Sequence, residues 1–221
     1  MLEDGMQTIT IWLKTIQETD ITKAGSTLSA GDPHLLALAI GIGSKVLKGY
    51  LTQILSAAGL VASYQAQVGL DPNDDQVGDK DVLVHITTAS LAREFAARKS
   101  YTLSGGSPDG MTAPFSEGAL SEIFIPSIKR HGNDDTQRGK VLANLAIHEI
   151  AHNKCCADPS VANQDDYVHQ NGGGGLLGKP IMPALLRSGS LNRDNISFMA
   201  SRIGRQVPQF TFYLFSTRLG F

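Results

Sequence analysis

The sequence predicts a single domain in which helices and strands are mixed, that is, an α/β (α+β) fold. Two segments, residues 6–13 and 81–87, alternate apolar with other side chains, which is typical of strands. A stripe of apolar residues at helical spacing lies within residues 35–60, and a second apolar run begins near residue 137. With 221 residues, 42% of them hydrophobic, the chain can form one core.

The first part of the chain is predicted to alternate strand, helix and strand. Its elements are a strand at 6–13, a Gly/Ser/Thr-rich loop at 22–33, a helix at 35–60, and strands at 61–68 and 81–87. Gly59 is the expected stop of the helix. Gly41 and Gly43 lack the rest of a phosphate-binding fingerprint, so we interpret them as positions of helix–loop packing.

The second part is predicted to be built around a buried helix. Its elements are a helix at 89–99, a long Gly/Ser/Pro loop at 101–118, a strand at 120–128 that Pro126 ends, the buried helix from about 137, a Gly-rich stretch at 155–177, a helix at 193–203 and a strand at 210–215. No internal repeat and no domain linker is visible, so residues 1–221 are taken as one domain.

Composition excludes several classes of function. The net charge is −2 and the charges are scattered, so no nucleic-acid partner is expected. The apolar run at 35–42 is too short to span a membrane. The first five residues carry two acidic side chains and no basic one, and no secretory signal is visible. The location is therefore unknown: cytoplasmic, or exported by a non-classical route. The sequence does not indicate an oligomeric state.

The predicted buried helix contains the motif His148-Glu149-Ile150-Ala151-His152. Histidines four residues apart lie on one face of a helix and can bind one zinc ion from the same side. Glu149 then stands where it can take a proton from a water that zinc has made more acidic. Because the run at 141–151 is apolar nearly all round, its polar residues would lie in an interior, where a metal offsets the cost of their burial.

The motif extends into one that resembles the metzincin metallopeptidases, whose signature is His-Glu-x-x-His-x-x-Gly-x-x-His/Asp followed by a methionine turn. Asp158 stands at the last position of that signature, as in the Asp-ending variant of snapalysin-like enzymes. Ile181-Met182-Pro183 looks like the methionine turn. The resemblance implies a mixed twisted sheet with a long N-terminal helix and a buried active-site helix, in an upper subdomain of about residues 1–153. It also implies a smaller lower subdomain, about 154–221, with the methionine turn and a final helix.

The third zinc ligand stays open between two residues. The resemblance places Asp158 there, but Cys155 replaces the signature glycine that makes a left-handed turn back toward the metal. If the chain leaves the helix without that turn, His169 becomes the rival, with Asp165, Asp166 and Asp194 behind it. Adjacent cysteines rarely pair with each other, so Cys155 and Cys156 predict no disulfide, although thiolate ligation is an alternative. His85, on a strand, is interpreted as structural.

The predicted function is therefore that of a zinc endopeptidase. Glu149 is the general base, His148 and His152 bind Zn²⁺ with Asp158 or His169, and the partner is a protein or peptide substrate. The resemblance implies that this substrate lies extended along an edge strand, expected near residues 120–125. Two alternatives use the same motif: an effector or toxin protease with one dedicated target, and a non-catalytic, zinc-stabilised binding module.

Overall fold

The computed structural model describes residues 6–15, 32–72, 76–78, 81–87, 110–112 and 121–156, together with residues 196 and 200. For residues 32–35, 111, 112 and 151–156 it describes the main chain. The described residues form a mixed arrangement of helices and strands, as predicted. Its elements are β1 (Gln7–Thr15), α1 (Asp32–Ala57), β2 (Tyr64–Leu70), β3 (Val82–Thr87), β4 (Gly110–Thr112), β5 (Ser121–Phe124), α2 (Ile125–His131) and α3 (Asp135–Cys156).

The five strands form one sheet in the order β2-β1-β3-β5-β4. The first four strands of that order are mutually parallel, and β4 runs antiparallel to β5. Parallel neighbours need a crossover connection, and α1 provides it between β1 and β2. The short antiparallel strand β4 is therefore one edge of the sheet that the described residues form.

The main core lies between one face of this sheet and the helices α1 and α3. Side chains at alternate positions of β1 and β3 belong to it, because successive residues of a strand point to opposite faces. On the helices, the apolar stripe of α1 and nearly every residue from Val141 to Ile150 are buried. The predicted periodicities of β1, β3 and α1, and the burial of α3 all round, are thus confirmed.

Helices α1 and α3 pack unusually close at a pair of glycines. A Cβ placed on Gly43 would lie 2.8 Å from the carbonyl oxygen of Gly139 and 2.9 Å from Leu142 Cδ2. A Cβ on Gly139 would lie 2.6 Å from Ile42 Cγ2. The expectation of helix–loop packing at Gly43 was therefore wrong, because the residue lies within α1 and packs against a second helix.

A buried hydrogen bond joins the same two helices. The Tyr50 hydroxyl donates to Asn144 Oδ1 at 2.9 Å. Burial raises the pKa of Tyr50 from 10.0 to about 12, although the hydrogen bond to Asn144 acts in the opposite direction. The phenol therefore stays protonated and able to donate over the whole physiological range. This bond fixes α3 one turn before the motif.

We expect Gly43→Ala to destabilise the protein by about 1–3 kcal/mol, because the added methyl overpacks the α1–α3 contact. Gly41→Ala is the matched control, since it lies two residues away in the same helix and a Cβ there meets nothing within 4 Å. This control should raise stability slightly, by about 0.5–1 kcal/mol, through higher helix propensity. Urea unfolding of both variants measures the difference, and equal stabilities would contradict the packing argument.

The segment at residues 120–128 differs from its prediction in two ways. The strand ends at Phe124, and Pro126 lies in the first turn of α2, where its missing N–H costs nothing. The strand is also not at an edge, because β5 lies between β3 and β4. The expectation that residues 120–125 form an edge strand was therefore wrong. In the sheet that the described residues form, the edge strand next to β5 is β4, which lies inside the segment predicted to be a loop at 101–118.

Other predictions are confirmed or lie outside the described residues. Gly59 follows the end of α1 with a φ of +71°, and Leu60 donates its N–H to the carbonyl of Leu55, which completes a Schellman ending. Ile196 and Ala200, in the helix predicted at 193–203, are helical. The predicted helix at 89–99, Met182 and the strand at 210–215 lie outside the described part. Within that part, no helix combines the length and apolarity needed to cross a membrane.

Candidate active site

The His-Glu-x-x-His motif lies on one uninterrupted helix, α3. Asp134 begins it, because its Oδ1 accepts the N–H of Gln137 at 2.7 Å, and Gln137 Oε1 in turn accepts the N–H of Asn133 at 3.1 Å. Both polar residues of the motif with described side chains are buried: His148 and Glu149 are each 5% exposed. His152 follows His148 by about one helical turn, so the main chain places both on one face of α3.

Glu149 lies where α3 meets the last two strands of the sheet. The Ser121 hydroxyl on β5 donates a buried hydrogen bond to the main-chain carbonyl of Glu149 at 3.2 Å. On β4, a Cβ added to Gly110 would lie 2.7 Å from Glu149 Oε1 and 3.0 Å from its Cγ. The carboxylate therefore packs directly against the main chain of the edge strand, at a position that has no side chain.

A second ionisable pair lies on the other face of the sheet. His85 on β3 and Glu122 on β5 are direct neighbours in the parallel register, and both residues are fully buried. His85 Nδ1 and Glu122 Oε1 are 3.6 Å apart. Val84 and Ile123, their chain neighbours, point to the α3 side, so this pair and the motif are separated by the sheet. His85 therefore lies in the interior beside a carboxylate, away from the motif.

Helix α3 continues through Cys155 to Cys156. Among the described non-glycine residues, only Asp71 has a positive φ, so the main chain makes no left-handed turn at Cys155. The turn that the metzincin signature places at this position is therefore absent from the helix. Asp158 and His169, the two candidate third ligands, lie outside the described residues, as does Met182 of the methionine turn.

A metal centre would need ligands from beyond the described side chains. Among the residues whose side chains are described, no group of three His, Cys, Asp or Glu residues is close enough to hold one ion. His148 would contribute one imidazole from a buried position. For His152, one turn later on α3, the structure describes only the main chain. The chemistry of these donors suits zinc, which prefers nitrogen ligands and takes three protein groups in catalytic sites.

Sequence reasoning missed Ser121, Gly110 and Glu122 at this end of the sheet. Glu122 did carry a signal, because a glutamate inside the short apolar run of β5 predicts a buried charge with a partner. Ser121 and Gly110 carried none, since their importance comes from the order of the strands. The pairing of β5 with both β3 and β4 brings them to Glu149.

No family model, curated protein or solved structure matches this chain.

Proposed function

We propose that the protein is a zinc-dependent endopeptidase with a metzincin-like fold. One observation carries the proposal: the His-Glu-x-x-His motif lies on a continuous helix, buried, with its glutamate packed against an antiparallel edge strand. A solvent-facing coincidence of the same five residues would leave His148 and Glu149 exposed. The mixed sheet with its long helix α1 also supports the upper subdomain, about residues 1–153, that the metzincin resemblance implies.

The proposed zinc ligands are His148, His152 and one residue that follows α3. Two imidazoles one turn apart on a helix would supply two of the bonds to zinc, and a catalytic site would keep one position open for water. When bound, zinc lowers the pKa of a coordinated water and polarises the substrate carbonyl. Burial of His148 excludes bulk water from its ring, which strengthens electrostatic interactions within the site.

Glu149 is proposed as the proton carrier. One oxygen of its carboxylate accepts a proton from the attacking water and later delivers it to the nitrogen of the departing amine. The role requires a carboxylate held in one place, because general-base catalysis depends on hydrogen-bond reach to the proton that moves. Packing against Gly110 and the burial of the side chain meet that requirement.

The proposed substrate is an extended polypeptide added to β4. An edge strand offers unpaired main-chain groups to a peptide, which can bind by strand addition. β4 is the edge strand that borders Glu149, and its Gly110 brings the main chain within reach of the carboxylate. This position replaces the one expected from the sequence, on β5. Neither nucleic acid nor a membrane partner is part of the proposal.

Metal removal tests the reaction class directly. Purified protein should bind one zinc ion and cleave an unfolded protein such as casein. We expect a chelator such as 1,10-phenanthroline to abolish cleavage and added Zn²⁺ to restore it, because the nucleophile depends on the metal. Full activity in zinc-free protein, verified by elemental analysis, would refute the zinc mechanism. Stable zinc without cleavage of any peptide library would favour the non-catalytic binding module.

A paired substitution identifies the third ligand. Because α3 continues through Cys155 without a left-handed turn, we expect His169→Ala to lower zinc affinity more than Asp158→Ala. The loss on removing a ligand should exceed the 10- to 100-fold that is typical of outer-shell changes, whereas the other variant should lose less than about tenfold. Competition with a chromophoric chelator measures both affinities. The opposite ranking would support Asp158 as the third zinc ligand and, with it, the metzincin turn.

A further inference from the structure

We propose that Ser121 and Gly110 are positioning residues for Glu149: one fixes its main chain and the other leaves room for its carboxylate. The inference rests on the proposed function, in which Glu149 carries the proton. Ser121 is not proposed to touch substrate or zinc, whereas Gly110 also belongs to β4, the strand to which substrate is proposed to add. Each acts through Glu149, and the two come from different strands of the sheet.

Ser121 ties the main chain of Glu149 to β5. A helical carbonyl normally accepts one hydrogen bond, from the N–H four residues later in the chain. The carbonyl of Glu149 accepts a second one, from the Ser121 hydroxyl at 3.2 Å, and this bond is buried. A buried hydrogen bond from another element restrains the position of the helix main chain at that residue. Ser121 therefore positions the main chain from which the Glu149 side chain extends.

Gly110 leaves the space that the carboxylate of the same side chain occupies. An added methyl at this position would lie 2.7 Å from Oε1 and 3.0 Å from Cγ of Glu149, well inside van der Waals contact. The carboxylate would have to rotate away from its present place. A Cβ would also lie 2.6 Å from the carbonyl oxygen of Glu122, so the edge strand itself would move. Glycine is thus the residue that lets the edge strand and the base lie side by side.

Substitution of either residue is expected to lower the catalytic rate more than the stability of the fold. A displacement of about 1 Å in a positioned catalytic group can cost as much as 100-fold in rate. Loss of the Ser121 hydroxyl removes one of two hydrogen bonds to a carbonyl that stays paired within the helix, so the fold should survive. We therefore choose Ser121→Ala as the main variant, Gly110→Ala as the second, and Gly41→Ala as the matched glycine control on the open side of α1.

Three measurements on the zinc-loaded protein test the inference. For Ser121→Ala we expect kcat to fall about tenfold or more while KM changes less than about twofold, because only the reacting geometry is altered. For Gly110→Ala we expect a similar fall in kcat together with a higher KM, because the added methyl also displaces the edge strand to which substrate is proposed to add. Zinc stoichiometry should stay at the wild-type value. The carboxyl ¹³C resonance of Glu149, assigned by its absence in Glu149→Gln, should move in both variants. Gly41→Ala should match the wild type in all three.

The outcomes separate this inference from the proposed function. Wild-type kcat and an unmoved Glu149 resonance in Ser121→Ala would overturn the positioning role, and so would a change confined to KM. If the wild-type protein cleaves no peptide, the proposed function fails, and the resonance then decides the positioning role by itself. If Gly110→Ala does not fold, the Ser121→Ala results decide between support and refutation.

Discussion

Glu149→Gln is expected to leave zinc bound and to lower peptide hydrolysis by about 10²- to 10⁴-fold, the usual contribution of a positioned general base. The amide has the shape of the carboxylate and fits beside Gly110, but it cannot accept the proton of the attacking water. Glu149 is predicted to be a base and not a ligand, so its loss should not release the metal. Steady-state kinetics and elemental analysis on the same sample measure both effects.

The matched control is Asp135→Asn, the same chemical change about four turns earlier in α3. Asp135 contacts Arg138 at the start of the helix, where a half-exposed pair contributes little to stability. This variant should keep wild-type turnover. Near wild-type turnover in correctly folded Glu149→Gln would remove the basis for calling the protein a peptidase of this class.

Local signals predicted most of the described elements. The alternation of Ile9, Ile11 and Leu13 located β1, and the predicted helix at 35–60 overlaps nearly all of α1. Periodicity works here because each element buries one face, or in α3 nearly every face, against a single core. Boundaries were less certain, because capping by residues such as Asp134 depends on single side chains.

Local sequence patterns could not predict the order of the strands in the sheet. β4 has three residues, too few to show a period, and it lies in a segment rich in Gly, Ser and Pro. Its pairing with β5 makes it the edge strand and moves the expected substrate position from β5 to β4. Such pairing depends on contacts between residues distant in sequence, which no window of the sequence contains.

In the candidate site, too, the sequence shows one part and only the fold shows the other. His148, Glu149 and His152 share one helix, so their spacing fixes their relation and the motif could be recognised from the sequence. The groups around Glu149 come from other elements, and only the folded sheet brings Ser121 and Gly110 to it. Asp158 was favoured by a signature whose turn the helical Cys155 does not make. The third ligand therefore stays a prediction, because Asp158 and His169 lie outside the described residues.

His148→Ala and His152→Ala are each expected to remove most of the zinc and, with it, the activity. Each imidazole supplies one of three proposed protein bonds, and a site with two remaining ligands binds zinc weakly. The affinity should fall more than the 10- to 100-fold that outer-shell substitutions cost. His148 is buried, so its replacement also leaves a cavity, and thermal unfolding must accompany the zinc measurement.

Added zinc distinguishes a lost ligand from a damaged fold. If the two histidines are ligands, the wild-type protein gains thermal stability from Zn²⁺ and the variants gain none, because a ligand stabilises only the state that binds it. His131→Ala, at the end of α2, is the control and should respond to zinc like the wild type. Equal zinc content in the wild type and both motif variants would show that the metal, if any, binds elsewhere. Selective loss in the motif variants would show that His148 and His152 hold the zinc, on the same helix as the proposed base Glu149.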